Sequence, residues 1–256
     1  WAWLGMVALL AVVIGLGVAF FVYRSVSAQT GPFDFHPSSQ VQGKLHTETK
    51  RVAADGATAL QAEITMTAGI LQLSGGAAAV MEADFTYDEA DWQPPVVDYA
   101  VDTGNQGNLA VRQGATHRPA LRPGRCEWRI YLNEHLPTEL NLKLGAGEAD
   151  LKLAGLQLAR LTVESGVGKL MLDLSGQWSH SLDAFVKCGI GDSVIRLPQD
   201  TGVRIHSSVG LGHIEPHDLH WDGYAYTNSL YGQTAANLDM TLEGGIGKIR
   251  LEPAEG

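Results

Sequence analysis

The chain has 256 residues, of which 45% are hydrophobic and only 18% are charged. Lys and Arg number 18 against 28 Asp and Glu, and the resulting net charge of −10 argues against a nucleic-acid-binding role, which needs clustered cations. The 30 glycines favour many short strands and tight turns over a helical bundle, so we expect a mainly β protein.

The first 23 residues are apolar and uncharged, and Arg24 is the first charged residue. A helix of this length crosses a hydrocarbon core of about 30 Å, so we predict a single transmembrane anchor helix over residues 1–24 that contacts the bilayer through residues 1–23. A cleaved signal peptide is the alternative, because Val26-Ser27-Ala28 resembles a processing site. Small residues four apart on one face could bind another membrane helix: Ala11, Gly15 and Ala19.

Residues 25–45 are rich in Ser, Gln, Gly and Pro and have no apolar period, which predicts a flexible linker. Residues 46–134 then predict an N-terminal β subdomain. Within it, residues 63–76 form a degenerate first repeat, and Asn105-Gln106-Gly107 is a hairpin turn signal. We expect this subdomain to be an antiparallel sheet that leads into the repeats that follow.

Residues 135–256 contain a Gly-X-Gly triplet five times, at intervals of 21, 23, 21 and 35 residues. Alternating strand residues flank every triplet, which predicts a solenoid-like stack of bent strands with Gly-X-Gly corners, here called rungs, placed in chain order. No helix pattern follows the glycines, so a phosphate-binding loop is not predicted. We expect the middle residues of the triplets to face the apolar interior: Ala146, Val167, Ile190, Leu211 and Ile246.

The repeated pattern resembles a known family. Residues 81–113, residues 136–176 and the ending YAYTNSLYGQTAANLDMTLEGGIGKIRLE are similar to bacterial toast-rack domains, which are related to the C-terminal domain of LiaF-type cell-envelope stress regulators. The resemblance covers roughly residues 60–252, and LxLGxGxxxLxL is its most specific element. It implies a stacked β fold, an envelope location and no established catalytic activity, and it supplies no functional residues.

Two sets of residues are candidates for partner binding. Met171 and Val194 occupy the same outward position on adjacent rungs, between Asp150 and Glu215, and Phe185 also faces outward. This apolar break in a charged face is typical of a protein contact. The long fourth interval carries aromatic residues that could either cap the open end of the stack or anchor a partner: Trp221, Tyr224 and Tyr226.

The remaining chemistry favours no active site. His213, Glu215 and His217 alternate along one strand as metal ligands could, but a solvated polar face is the simpler interpretation, and we predict no metal and no cofactor. The only thiols, Cys126 and Cys188, are either two buried hydrophobic residues or, if their rungs adjoin, a disulfide. We interpret the carboxylates Glu148, Asp150 and Asp192 as solubilising charge, and we predict no enzyme.

These features predict a non-enzymatic, single-pass protein of the cell membrane whose soluble domain is extracytoplasmic. As an accessory or scaffolding subunit, it would bind other membrane or envelope proteins. A cell-envelope stress sensor of LiaF type and a surface glycan-binding module are the alternatives. Exposed strand edges at the ends of the stack also permit homo-oligomerisation by edge pairing.

Overall fold

The computed structural model describes residues 44–116 and 124–253, and all regular structure in these ranges is β-strand. No helix within these ranges is long and apolar enough to cross a membrane. The predicted anchor, its residues Ala11, Gly15 and Ala19, and nearly all of the predicted linker lie outside the described residues. The strands are β1 (Leu45–Val52), β2 (Ala59–Gly75), β3 (Met81–Asp88), β4 (Val96–Val101), β5 (Gln106–Arg112), β6 (Cys126–Leu132), β7 (Thr138–Lys152), β8 (Leu158–Asp173), β9 (Leu182–Ile190), β10 (Ser193–Leu197), β11 (Gly202–Pro216), β12 (His220–Trp221), β13 (Tyr226–Thr227) and β14 (Asn237–Pro253).

Five parallel rungs and the predicted first repeat form the stack. β2 pairs with β7 along nearly its whole length, which confirms that the degenerate repeat is a rung of the same stack. β7 pairs with β8, and β8 pairs with β9 and β10, which together make one rung. The predicted stacked, mainly β fold is therefore confirmed.

The order of the last two rungs differs from the expected chain order. β14 lies between the β9–β10 rung and β11, so the final strand of the chain is an interior strand of the sheet. β11 is the end rung instead. The connection between β11 and β14 has 20 residues and carries the β12–β13 hairpin, whereas only five residues join the parallel rungs β7 and β8.

The N-terminal strands extend the same sheet. β5 pairs in parallel with the first half of β2, and β6 pairs in parallel with its second half. Antiparallel partners then follow, with β4 on β5, β3 on β6 and β1 on β3. The predicted turn joins β4 to β5, with Asn105 at a φ of 61°. The antiparallel pairing is thus observed, but parallel pairs connect it to the stack.

Each long rung bends at its Gly-X-Gly triplet, and the burial pattern changes phase there. In β7 the buried residues before the bend are even-numbered, such as Leu142 and Leu144, whereas those after it are odd-numbered, such as Ala149 and Leu151. Buried side chains of both arms belong to one hydrophobic core, which continues to Phe85 and Trp128 in the N-terminal strands. These two rings pack edge to face with centroids 5.2 Å apart.

The middle residues of the triplets face solvent, so the expectation that they line the interior was wrong. Val167 is 51% exposed and Leu211 is 75% exposed. In four of the five triplets the second glycine has a positive φ, for example +137° at Gly168, and this conformation turns the chain so that the preceding residue lies on the outside of the bend. Leu211 precedes Gly212, which lacks a positive φ, and it is exposed in the end rung of the stack.

Candidate functional site

The exposed middle residues form a continuous aliphatic row along the outside of the bend. The register places Ala146 beside Val167, Val167 beside Ile190, Ile190 beside Ile246, and Ile246 beside Leu211. We call these five residues the bend row. Adjacent strands lie about 4.8 Å apart, so the row is about 19 Å long. Its four larger members are between 42% and 75% exposed.

Paired charges border the bend row on both sides. Before the bend, Lys143 lies 3.6 Å from Glu164, and Lys187 lies 3.3 Å from Glu243. After the bend, Lys169 lies 3.7 Å from Glu148. Exposed ion pairs of this kind add little stability, but they neutralise each other. A partner that covers the row therefore meets aliphatic side chains between borders whose charges are already paired.

The predicted patch of Met171, Val194 and Phe185 is not one surface. Met171 and Val194 are neighbours across β8 and β10, as expected, but Val194 is only 9% exposed, and Arg250 of β14 follows it rather than Glu215. Phe185 precedes the bend whereas Met171 follows it, so the two lie on different arms. Phe185 instead lines an open groove of about 340 Å³ with Arg204 and His206.

The aromatic residues of the long interval form a hairpin on the end rung. β13 pairs with β11 at Arg204 and Ile205, and β12 pairs with β13. The rings of Trp221 and Tyr226 lie 4.8 Å apart, whereas Tyr224 at the turn is 84% exposed. The hairpin therefore pairs with part of the end rung and still presents aromatic surface to solvent.

A carboxylate holds the turn of this hairpin. Asp222 Oδ1 accepts hydrogen bonds of 2.8 Å from the backbone N–H groups of Tyr224 and Ala225. These bonds favour the charged form and lower the pKa of Asp222 below its ordinary value. These two bonds and the backbone hydrogen bond from Asp222 N–H to the Ala225 carbonyl together hold the turn that carries Tyr224.

The β11 strand that carries His213 and Glu215 is joined to β14 by an ion pair within the chain. Glu215 lies 2.7 Å from Lys248 and 3.2 Å from His213, and the hydrogen bond from Lys248 is the main reason that the pKa of Glu215 is lowered. Within residues 44–116 and 124–253, no group of three His, Cys, Asp or Glu side chains is placed to hold a metal ion. The other carboxylates considered also have cationic neighbours: Glu148 pairs with Lys169, and Asp150 lies 3.7 Å from Lys152.

The two cysteines are buried free thiols, which excludes the disulfide alternative. Cys126 is in β6 and Cys188 is in β9, and three strands lie between them, so they are about 19 Å apart, far beyond disulfide distance. Burial raises the pKa of both thiols. Gln113 Nε2 also donates a hydrogen bond of 2.9 Å to Cys126 Sγ.

This chain is similar in sequence to one protein family and in structure to solved bacterial proteins. A family profile described as "N-terminal domain of toast_rack, DUF2154" matches residues 41–196. A crystal structure from Clostridium sporogenes, described as "a putative cell adhesion protein", is 31% identical, with a TM-score of 0.77 over 82% of this chain and 100% of that chain.

A structure described as "a putative adhesin" from Bacteroides fragilis is 12% identical, with a TM-score of 0.29 over 81% of this chain and 97% of that chain. That similarity is too low to support an argument about this chain. A search of curated proteins gave no match.

Proposed function

Because this chain belongs to the toast-rack family, we propose that it is a non-enzymatic envelope protein that docks on other membrane or surface proteins as an accessory or scaffolding subunit. The family and the Clostridium sporogenes structure are consistent with a surface or envelope protein. In this proposal residues 1–23 anchor the chain in the cell membrane, and the described residues act outside the cytoplasm. Ala11, Gly15 and Ala19 would contact a partner helix in the bilayer.

The bend row is the observation that carries the docking function. Four large aliphatic side chains in register give up water when a partner covers them, at about 25 cal/mol for each Å² of apolar surface buried. The bordering charges have partners already, so few unpaired charges lose solvent in the contact. A narrow apolar row between neutralised polar borders matches the core and rim of protein interfaces.

The test introduces charge at the centre of the row. Ile190→Asp combined with Ile246→Asp places two carboxylates side by side where a partner would bury aliphatic groups. Both positions are more than 40% exposed, but two like charges on adjacent strands repel each other, so we expect the free energy of unfolding to fall by about 1–2 kcal/mol in total. Loss of contacts at the centre of an interface should weaken partner binding about 30-fold or more.

The measurement is purification of the native chain from its own membranes, with the molar ratio of co-purifying membrane proteins determined by mass spectrometry. We expect a fixed ratio for the wild type that falls with the double variant. Val96→Asp is the matched control, since Val96 on β4 is 46% exposed and lies away from the bend row. Recovery of the wild-type chain alone would contradict docking and favour the stress-sensor or glycan-binding alternative.

The aromatic hairpin favours glycan binding as a second candidate function. Trp221 is 46% exposed and Tyr224 is 84% exposed, and the paired ring of Tyr226 supports Trp221 from one side. Exposed aromatic rings with a polar atom suit surfaces that are partly apolar and partly wet, as those of sugars are. Protein docking remains the first proposal because the bend row offers a longer apolar surface.

A further inference from the structure

An open groove crosses the outer face of the rungs on the arm that precedes the bend. It runs over four adjacent strands, from β8 across β9 and β14 to β11, and is therefore about 14 Å long. Its volume of about 340 Å³ lies near the lower limit for small-molecule pockets, about 300 Å³. No bend row residue lines the groove, so it is a separate surface with room for a small ligand.

Two pairs of Arg and Asp line this groove, but only one of them forms an ion pair. Arg204 of β11 lies 2.7 Å from Asp239 Oδ1 of β14, and the hydroxyl of Tyr231 donates to the same oxygen at 3.2 Å. Arg160 of β8 faces Asp183 of β9 in an equivalent parallel register. Among the described residues, however, neither of these two side chains has an ion-pair or hydrogen-bond partner. Both are exposed, and so a ligand can contact both charges.

The position of Asp183 is unfavourable for the fold. Its register partner on β14 is Asp239, and like charges that face each other on neighbouring strands repel. On the same face, the charges of the next row are instead matched across the strands, with Lys187 lying 3.3 Å from Glu243. Side chains that lower stability in this way are expected at functional sites.

An aromatic ring and two hydroxyl groups lie in the row of residues next to these charges. Phe185 alternates with the buried residues Ala184 and Val186, so its partly exposed ring faces outward and lines the groove. Thr162 and Thr241 are the register partners of Phe185 on the two neighbouring strands. Their hydroxyl groups, which make no hydrogen bond within the part of the chain that the structure describes, can each donate and accept one.

We propose that this groove binds a neutral saccharide, with one sugar ring stacked on Phe185. The two arginines and two aspartates of the groove cancel in charge, so the groove selects neither an anion nor a cation. Arg160 donates hydrogen bonds and Asp183 accepts them, and the hydroxyl groups of a sugar do both. The C–H face of a sugar ring is apolar and packs on an aromatic side chain.

The inference goes beyond docking through the bend row, and it rests on the glycan-binding candidate for the class of ligand. It places the saccharide at a different site from the aromatic hairpin, because neither Trp221 nor Tyr224 lines the groove. Variants of the two sites therefore distinguish the groove from the hairpin.

The first test measures the binding of disaccharides to the full chain by saturation-transfer NMR. The probes are cellobiose, lactose, maltose and N,N′-diacetylchitobiose, and the detergent has no sugar headgroup that would compete with them. We expect at least one of these probes to bind the wild type. Binding of none of them to the wild type would overturn the inference.

Asp183→Asn tests the role of the unpaired carboxylate. It keeps the shape of the side chain but removes the charge, and hydrogen bonds to a charged acceptor are about twice as strong as neutral ones, so the Kd should rise about 5-fold or more. Asp192→Asn is the matched control and should leave the Kd unchanged, because Asp192 is also an exposed carboxylate but lies outside the groove. An equal Kd for both variants would contradict the role of Asp183.

A pair of substitutions at Phe185 separates stacking from packing. Phe185→Leu keeps an apolar side chain but removes the ring, so we expect the Kd to rise about 10-fold. Phe185→Trp keeps an aromatic surface and should bind the disaccharide at least as tightly as the wild type. If Phe185 only packed against its neighbours, the larger Trp would disturb the groove more than Leu does, and the order of the two Kd values would reverse.

Trp221→Ala shows which of the two sites binds the saccharide. We expect this variant to bind like the wild type. Loss of binding in Trp221→Ala, with no change in Phe185→Leu, would overturn the groove site and leave the glycan-binding candidate standing at the hairpin. If no probe binds and Phe185→Leu instead lowers the ratio of co-purifying membrane proteins, the groove belongs to the protein-docking surface and the inference is wrong.

Discussion

Gly168 occupies a position in the bend that a side chain cannot share. Its φ is +137°, and a Cβ atom there would overlap the carbonyl oxygen of Gly147 in the neighbouring rung. Gly168→Ala should therefore lower the free energy of unfolding by about 3–5 kcal/mol, from backbone strain and steric overlap together. Denaturant unfolding followed by circular dichroism measures this change.

Gly223 provides the control for that prediction. It also has a positive φ, +103°, but no atom lies within 4 Å of the Cβ that alanine would add. Gly223→Ala should therefore cost only the backbone strain, about 1–2 kcal/mol. If the two variants were equally destabilised, close approach of the rungs would not be the reason for the repeated glycine.

The conformation of the triplet glycines also explains why the repeat pattern gave the wrong direction for the middle residues of the triplets. The alternating residues before and after each triplet predicted buried positions such as Leu142 and Leu151 correctly. Val167, in contrast, has the composition of a core residue and yet is exposed, because the φ of the following glycine decides its direction. Aliphatic residues at this position looked like core, so the bend row was missed as a surface.

The side chain of Gln113 fills a gap between strands β5 and β6 along β2. β5 covers the first half of β2 and β6 covers the second half, which leaves Thr67 and Ala68 between them. Gln113 Oε1 accepts hydrogen bonds of 2.7 Å and 3.0 Å from their backbone N–H groups, and its Nε2 donates to the carbonyl of Ala68 at 2.7 Å. The amide thus replaces a missing stretch of strand.

Gln113→Ala should lower the free energy of unfolding by about 1–2 kcal/mol, because the partly buried N–H of Ala68 loses its acceptor, whereas water can replace the acceptor of the exposed Thr67 N–H. Thermal unfolding with calorimetry gives the value. Gln61→Ala is the control, since Gln61 is exposed on β2, and it should change stability by less than about 0.5 kcal/mol. A loss in Gln113→Ala no larger than in the control would contradict the bridging role.

Chain order does not predict that β14 lies between the β9–β10 rung and β11. The charge pairing between strands, however, does indicate it. With β14 beside β9, Lys187 faces Glu243, whereas chain order would put Ser208 there. The end rung also has Ser207 and Pro216 at positions that are Leu242 and Leu251 in β14. Interior residues that are less hydrophobic indicate a rung at the end of the stack, but the spacing of the triplets alone does not indicate it.

In the stack as a whole, β14 joins the rungs at the end. β14 contacts β9, β10 and β11, and five of its side chains are almost fully buried: Leu238, Met240, Leu242, Ile249 and Leu251. A chain that ends at Ala236 should therefore lose cooperative unfolding of the stack, since both neighbouring rungs lose their partner. A chain that ends at Pro253 is the control and should unfold like the full protein. Cooperative unfolding of the shorter chain would contradict the central role of β14.

The position of β14 also sets the time at which this protein can finish folding. A chain emerges from the ribosome in order at about 5–20 residues per second, so β9, β10 and β11 exist for a second or more before the strand that joins them. The pairs β2–β7 and β7–β8 can form earlier, because in each pair both strands have been synthesised before β9. The stack is therefore completed only after synthesis has passed β14, and a chain stalled or cut before β14 exposes an unpaired edge.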